Sequence, residues 1–459
     1  MQAAYAHAVQ CPTMALRTLF LDLNSYFASV EQHVQPALRG KPIAVAPITS
    51  DSGCCIAASY EAKSLGVKTG TRVGEGKRLC PSLVIVDARP RLYVRMHHRI
   101  LAAVDKHIPV DRVHSIDEVS CKLDRTQRTR AATEKLAAAI KAQIAKDCGK
   151  TMRCSIGIAP NRPLAKLGTD MFKPDGLAIF DDGDIPSAFE HLSPQELAGI
   201  GPQMMKRLKR QGITTIKELM QRDAKQMREL WGGIIGERWW YWLRGQDVHE
   251  DKTRRRSLGH QHVLAPDVRS REGARAVAFR LLLKAAARLR HENYAARTLT
   301  LALRFTHEGI GQAGWNSTSW HSVAALGEGV TDTPTILDAL TSLWEQVPHD
   351  TPLLVSVTLG DLITPQSATM PLFPGESKRG SLSKAMDAVN QKFGANTVFT
   401  ANMQDARSHG AGGIAFNFVP DLTFADSVKA RQRTTGEKLL TDAQLDALIE
   451  MGIAADSAR

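Results

Sequence analysis

Two adjacent carboxylates, Asp117 and Glu118, head an apolar alternation in HSIDEVSCKLD, and no other feature of the chain constrains its fold more. Val119, Cys121 and Leu123 fall on one face of a short strand; Ser120, Lys122 and Asp124 fall on the other, because side chains alternate across a strand. Such a strand buries its apolar face in a sheet and carries the acids toward the interior. Neighbouring carboxylates repel each other and resist burial. A cation offsets both costs, and it calls for a third carboxylate on a neighbouring strand. Asp22 is the candidate, since it lies near the end of the apolar run TLFLDL with Asn24 and Ser25, good helix N-caps, just after it. Taken singly, each has a plain reading: Asp22 as a charge facing a helix dipole, Asp117–Glu118 as a solvated turn.

The periodicities around these acids describe an α/β layer. RTLFLDLNS reads as a buried strand, YFASVEQHV as the helix after it, GKPIAVAP as a strand, and SYEAKSLG as a short helix stopped by Gly66. LYVRMHHRILAAVDKH is helical, then come the RVHSIDEVSCKL hairpin and an Ala-rich helix over 130–147. The strand MRCSIGIA, the helix PLAKLGTDMF and the strand GLAIF complete the layer by about residue 180. LAGIGPQMMKRLKRQGITTIKEL has Gly199 and Gly201 opening a basic helix that Gly212 closes. It reads as a helix–hairpin–helix whose glycine turn offers backbone N–H groups to a phosphate beside Lys206, Arg207, Lys209 and Arg210, or as an ordinary helical hairpin. After the charged linker EDKTRRRSLG the order is strand, helix, strand, strand, helix, strand, a βαββαβ unit of ferredoxin-like type. Its first helix carries Arg280, Lys284 and Arg288 every four residues, either a solvated face or a phosphate-contacting stripe. Beyond residue 365 the chain is polar and rich in Pro, Gly and Ser, and reads as an exposed tail segment.

At 459 residues, two to four domains are expected. A net charge of +12 suits a polyanionic partner. No apolar run is long enough to cross a bilayer, and the start has no basic flank with an apolar block. The seven cysteines are an odd set with no CxxC spacing, so neither a disulfide framework nor a zinc site is expected, and the expected compartment is the cytoplasm.

Together, Asp22, Asp117 and Glu118 resemble the catalytic triad of a two-metal nucleotidyltransferase, in which hard Mg²⁺ ions take oxygen ligands from carboxylates and substrate phosphates. FLDLNSYFASVE, SYEAKSLGVKTG, HSIDE, GIAPNRPLAKLGTDMFKPDG and GIGP then occur in an order and spacing that resembles the Y-family translesion DNA polymerases. The likeness runs from about residue 17 to 365, continues more weakly through LSKAMDAVNQKFG, and lies between the DNA polymerase IV type and the catalytic subunit of DNA polymerase V. It implies a multidomain α/β (α+β) right hand: palm 16–30 and 85–184, fingers 31–84, helix–hairpin–helix thumb 185–249, linker 250–256, βαββαβ little finger 257–365 and a C-terminal tail 366–459.

The resemblance also implies roles. Asp22, Asp117 and Glu118 are the metal-binding catalytic carboxylates, joined by the Leu23 carbonyl, and the cofactor is Mg²⁺, two ions. Tyr26 lies in the nucleotide site, and Phe27 holds the steric-gate position, with core packing as its other reading. Tyr60, Lys63 and Lys166 hold the triphosphate; Lys63 stands where many members have arginine, keeping charge but not fork geometry. Cys54 and Ile56 line the floor under the base, and the bulk of Ile56 implies a tighter pocket than in the roomiest relatives. Gly199, Gly201, Lys206, Arg280, Lys284 and Arg288 are candidate DNA contacts.

The expected activity is template-directed addition of deoxynucleotides to a primer, with low fidelity and no proofreading, and the partners are primer-template DNA, deoxynucleoside triphosphates and a sliding clamp. The clamp expectation rests on TMPLF, whose Met370, Leu372 and Phe373 read as a pocket-binding linear motif or as a strap on their own domain. It resembles the clamp motif of bacterial polymerases, with Thr369 where glutamine usually begins it. A catalytically silent accessory protein on the same fold would need no acidic triad. A cyclase with a similar palm has no use for the basic appended domains, and a pure DNA-binding module leaves the three acids without a role.

Overall fold

The computed structural model describes residues 15–51, 53–248, 254–264, 266–306, 317–367, 374–393, 397–399 and 440–457. They fall into two compact units, one within Met1–Glu250 together with Leu440–Arg459, the other within Asp251–Gly413.

The first unit begins β1 (Thr18–Leu23), α1 (Tyr26–Val34), β2 (Ile43–Ala46), β3 (Ala57–Ala58), α2 (Tyr60–Ser64), α3 (Val73–Leu79) and β4 (Val84–Asp87). It continues through α4 (Pro90–Asp105), β5 (Val110–Val113), β6 (Glu118–Lys122), α5 (Arg130–Cys148), β7 (Cys154–Ala159), α6 (Arg162–Met171) and β8 (Leu177–Ile179). Five strands form a sheet in the order β5-β6-β1-β7-β8, with β1 antiparallel to both neighbours. Alternation along β1 splits its side chains between two cores. Leu19, Leu21 and Leu23 join Tyr93 and Met96 of α4 and Ile140 and Ile144 of α5, whereas Phe20 joins Leu164 and Leu167 of α6. Asp22 shares the Phe20 face, so the sheet aims it toward α6. Gly157 of β7 lets α6 approach: a Cβ there would stand 1.9 Å from the Ala165 carbonyl oxygen.

A second sheet, β3-β2-β4, packs with α2 and α3 around Ala44, Ala62, Val67 and Val73. The helices α7 (Pro202–Arg210), α8 (Ile216–Met220), α9 (Ala224–Trp231) and α10 (Ile234–Trp242) share the core under α6 through Met205, Leu219, Met227 and Trp239.

The second unit runs β9 (Ser257–Val263), α11 (Arg271–His291), β10 (Ala296–Thr306), β11 (Ser317–Val330), α12 (Thr333–Glu345) and β12 (Thr351–Gly360). This is the βαββαβ order read from the sequence. The sheet order is β11-β10-β12-β9, so β12 is inserted between the two strands that α11 connects, a split βαβ arrangement. Leu299, Leu301, Leu303 and Phe305 are buried as their alternation requires.

Two expectations are corrected. The residues after 365 are not simply an exposed tail: α13 (Pro374–Phe393) packs on α12, with Arg290 Nη2 donating to Asp387 Oδ1 at 2.8 Å, and α14 (Asp442–Ser457) enters the core of the first unit through Leu445 and Ile449. The opening of α13, with Pro374, Gly375 and Gly380, has the composition of a loop and hid that helix. Ser25 stands at the N-cap of α1 but does not cap it, because its backbone is left-handed at φ 48° and its Oγ instead accepts from Lys63 Nζ at 2.7 Å. Asn24 does not cap it either: its Oδ1 accepts from the Asp175 N–H and its Nδ2 donates to Ser155 Oγ, tying β1 to β7 and to the loop after α6.

Candidate active site

The register of β1 against β6 sets Asp22 opposite Glu118, and the Leu23 N–H donates to the Asp117 carbonyl at 2.8 Å. All three carboxylates therefore gather at one end of the two central strands. Asp22 is 5% exposed. Asp117 is half-buried; that burial raises its pKa, partly opposed by the Ser115 hydroxyl, which donates to Oδ1 at 2.5 Å. The turn carrying these residues is held from behind by His97 of α4, whose Nδ1 donates to the Ile116 carbonyl at 2.7 Å. Burial lowers the His97 pKa to about 4, so the ring is neutral and its N–H available for that bond at ordinary pH.

Lys166, on α6, reaches into the acids: its Nζ lies 2.5 Å from Asp22 Oδ2, 2.9 Å from Glu118 Oε1 and 3.2 Å from Asp170 Oδ2. Lys173 Nζ lies 2.7 Å from Asp22 Oδ1 and 2.7 Å from Asp170 Oδ1. Burial pushes both lysine pKa values down, but Asp22 and its neighbours outweigh burial and raise them, so both stay cationic. Asp170 and Lys173 went unread in the sequence. The spacing 166, 170 was a signal for Asp170 alone, since i and i+4 share one helix face; Lys173 lies past the end of α6, where no helical period marks it.

A cavity of about 260 Å³ opens beside the acids. Leu23, Tyr26 and Phe27 line one side, Ile56, Ala57, Ala58 and Thr69 another, and Tyr60, Lys63, Lys166 and Lys173 contribute polar groups. Lys63 Nζ sits 4.6 Å from the Tyr60 ring centroid. Its pKa is lowered by burial and by Lys173 nearby. Phe27 lines the cavity and is also core, 3% exposed and stacked on Tyr93 of α4 at 4.5 Å between centroids.

Cys54 departs from its expected place. It is exposed, bridges to Arg72, and lies outside the cavity lining, where Ala57 and Ala58 stand instead. Of the DNA candidates, Gly199 is left-handed at φ 97°, Gly201 is the N-cap of α7, and Lys206 is exposed on that helix. The α11 stripe is not a simple solvated face: Arg280 and Arg288 are half-buried, Arg288 Nε pairs with Glu292 at 2.7 Å, and Lys284 and Arg288 act on His260 of β9. Met370, Leu372 and Phe373 lie outside the described residues.

Among the described residues, no group of three or more His, Cys, Asp and Glu forms a ready cage for an ion. The donor set nevertheless fits a hard divalent ion. Mg²⁺ takes one or two protein carboxylates and completes its shell with water and substrate phosphate, and among the described residues no ammonium or guanidinium pairs with half-buried Asp117. The lysine charges at Asp22 and Glu118 mark how strongly this corner attracts a cation.

A profile of the impB/mucB/samB family matches residues 21–170, and a profile of the C-terminal domain of that family matches residues 255–371. DNA polymerase IV of Moorella thermoacetica is 32% identical over 390 residues, covering 83% of this chain and 95% of its own. DNA polymerase IV of Pelotomaculum thermopropionicum is 30% identical over 402 residues, covering 86% and 95%. Among solved structures, a Y-family DNA polymerase chimera shares the fold with a TM-score of 0.61 at 24% identity, over 76% of this chain and 99% of that one. Two family profiles in sequence order, end-to-end relatives and a shared fold agree: this chain belongs to the impB/mucB/samB family, the Y-family DNA-directed DNA polymerases, and is of the DNA polymerase IV type.

Proposed function

We propose that this translesion polymerase adds deoxynucleotides to a primer 3′-hydroxyl at the Asp22–Asp117–Glu118 end of β1 and β6, with low fidelity and without proofreading in cis. The observation that carries this reading is the pairing of Asp22 with Glu118 across the sheet, Asp117 beside them, in the wall of a cavity that also presents Tyr60, Lys63 and Lys166. Asp22, Asp117, Glu118 and the Leu23 carbonyl would hold two Mg²⁺ ions. When bound, the ions lower the pKa of the attacking hydroxyl and neutralise charge on the triphosphate. The chain's own residues position the reactants. Lys63, Lys166 and Lys173 offer ammonium groups to triphosphate oxygens, Lys166 and Lys173 exchanging carboxylate partners for phosphate and Lys63 its Ser25 hydroxyl. Tyr60 orients Lys63, and Phe27 walls off the sugar. Ile56, with Ala57 and Ala58, forms the floor under the base.

On this reading, 16–30 and 85–184 act as palm, 31–84 as fingers, 185–249 as thumb, 257–365 as little finger, and 250–256 as the linker. The turn at Gly199–Gly201 with Lys206, and the α11 stripe of Arg280, Lys284 and Arg288, contact the DNA backbone. No described helix is long and apolar enough to cross a membrane, and the substrates place the enzyme in the cytoplasm with the chromosome. Primer extension on a plain template, with Mg²⁺ and then with EDTA, tests the reading. Extension that persists in EDTA, or none in Mg²⁺, refutes it.

Replacing Lys166, Lys63 or Lys173 with alanine is expected to raise the nucleotide KM or lower kcat, by about 10- to 100-fold in kcat/KM, the range of one charge-assisted hydrogen bond. Lys63→Arg is expected to keep or improve binding through its fork. A lysine whose alanine variant matches wild type is outside the site.

The apolar TMPLF segment is proposed as the sliding-clamp motif, since tethering to a clamp already on DNA raises effective concentration. Leu372→Ala with Phe373→Ala is expected to abolish clamp binding and clamp-stimulated synthesis while sparing distributive extension. Joint loss of thermal stability and basal activity would identify the segment as a strap instead.

A further inference from the structure

α14 is last in the sequence, after the whole second unit, yet it belongs to the first. Its acids Asp442, Asp446 and Glu450 recur every four residues, and Arg91, Arg95 and Arg99 recur every four residues on α4. The two stripes meet rung by rung. Arg91 Nη2 lies 2.7 Å from Asp442 Oδ1, Arg95 grips Asp446 with two donors, and Arg99 Nη1 lies 2.6 Å from Glu450 Oε1. At the far end Asp456 accepts from the Lys150 N–H at 2.7 Å and pairs with Arg39 at 2.8 Å. Between the ends, buried His33 of α1 donates from Nε2 to the Ile449 carbonyl at 2.9 Å. Gly452 lets the helices touch, since a Cβ there would lie 2.5 Å from His33 Nε2. Leu445 and Ile449 complete the seat in the same core that holds Phe27 and Tyr93.

Of the helices that α14 straps together, α1 supplies Tyr26 and Phe27 to the wall of the nucleotide cavity and α4 backs that wall. Phe27 of α1 stacks on Tyr93 of α4, Tyr26 Oη donates to the Tyr93 carbonyl at 2.6 Å, and Tyr93 Oη donates to buried Glu31 of α1 at 2.7 Å. Arg89, at the head of α4, donates to the same carboxylate. No residue of α14 lines the cavity. A charged helix in an arginine-lined seat, behind the wall and remote from the chemistry, acts only through the helices it holds.

We propose that α14 is a positioning strap for the sugar side of the nucleotide pocket: docked, it fixes α1 against α4 and keeps the Phe27–Tyr93 wall in place, so that rejection of ribonucleotides depends on a helix that touches no substrate. The proposal rests on Phe27 walling off the sugar.

The test reverses the acidic rungs in the full-length chain, as Asp442→Arg with Asp446→Arg and Glu450→Arg; all three carboxylates are surface groups, 46–59% exposed. Gly452→Val is a second route to release, and amide exchange across 442–457 reports undocking. Either variant is expected to speed that exchange, raise nucleotide KM, and raise ribonucleotide use relative to deoxynucleotide by about tenfold, a loss of about 1.4 kcal/mol of discrimination. Affinity for primer-template DNA is expected to stay within about threefold. Adding Arg91→Asp, Arg95→Asp and Arg99→Asp to the acidic reversal is expected to restore the ratio. Faster exchange with a sugar ratio unchanged within about twofold overturns the strap. Phe27→Ala, measured alongside, separates the two readings: if it alone shifts the ratio, the strap fails and the wall stands, and if it shifts nothing, both fail.

Discussion

Asp117→Asn and Glu118→Gln are each expected to cut nucleotide addition by at least about 1,000-fold, about 4 kcal/mol of barrier, while primer-template affinity stays near wild type. The substitutions keep shape and remove charge. Asp117 is half-buried with its pKa raised by that burial, so the site disfavours its ionised form; a neutral amide there relieves that cost. Thermal stability of Asp117→Asn is therefore expected to equal or exceed that of the parent, and loss of activity cannot then be assigned to unfolding. Steady-state extension, a DNA-binding titration and a melting curve make the test. Near-normal extension by either variant removes the two-metal reading, and lost DNA binding would recast the acids as structural.

Phe27→Ala is expected to lower discrimination against ribonucleotides by about 100-fold, about 2.7 kcal/mol, while polymerisation with deoxynucleotides survives. The same substitution empties part of a core, since Phe27 stacks on Tyr93 and is almost fully buried. A stability loss of about 3–5 kcal/mol is therefore expected alongside. The ratio of kcat/KM values for the two sugars separates the effects, because a cavity in the core lowers melting temperature without favouring one sugar. Phe27→Leu, which keeps most of the packing, is expected to fall between wild type and alanine in both measures. An unchanged sugar ratio with a lowered melting temperature would leave Phe27 as packing only.

The acids and the βαββαβ unit were legible because their signals are local. Alternation in TLFLDL and EVSCKL sets the faces of two strands, and the 3.6-residue period marks the helices. The roles of Tyr60, Lys63 and Lys166 came from resemblance, and the structure brings all three to one cavity. Cys54 was misplaced because a two-residue strand follows it, and the chain turns the neighbouring alanines inward instead. Asp170 and Lys173 were missed because no local pattern separates a surface ion pair from one aimed at a carboxylate on another strand.

What the sequence by itself determined is the chemistry carried at each strand end and helix face, since dihedral preference, side-chain period and glycine turns act over a few residues. What only the tertiary structure decided is which distant residues share a corner. Asp22 meets Glu118 through the β1–β6 register, Lys166 meets both because α6 packs on the Phe20 face, and Asp442 meets Arg91 across 351 positions of chain. Those juxtapositions follow from close packing between remote segments, and close packing has no period to read.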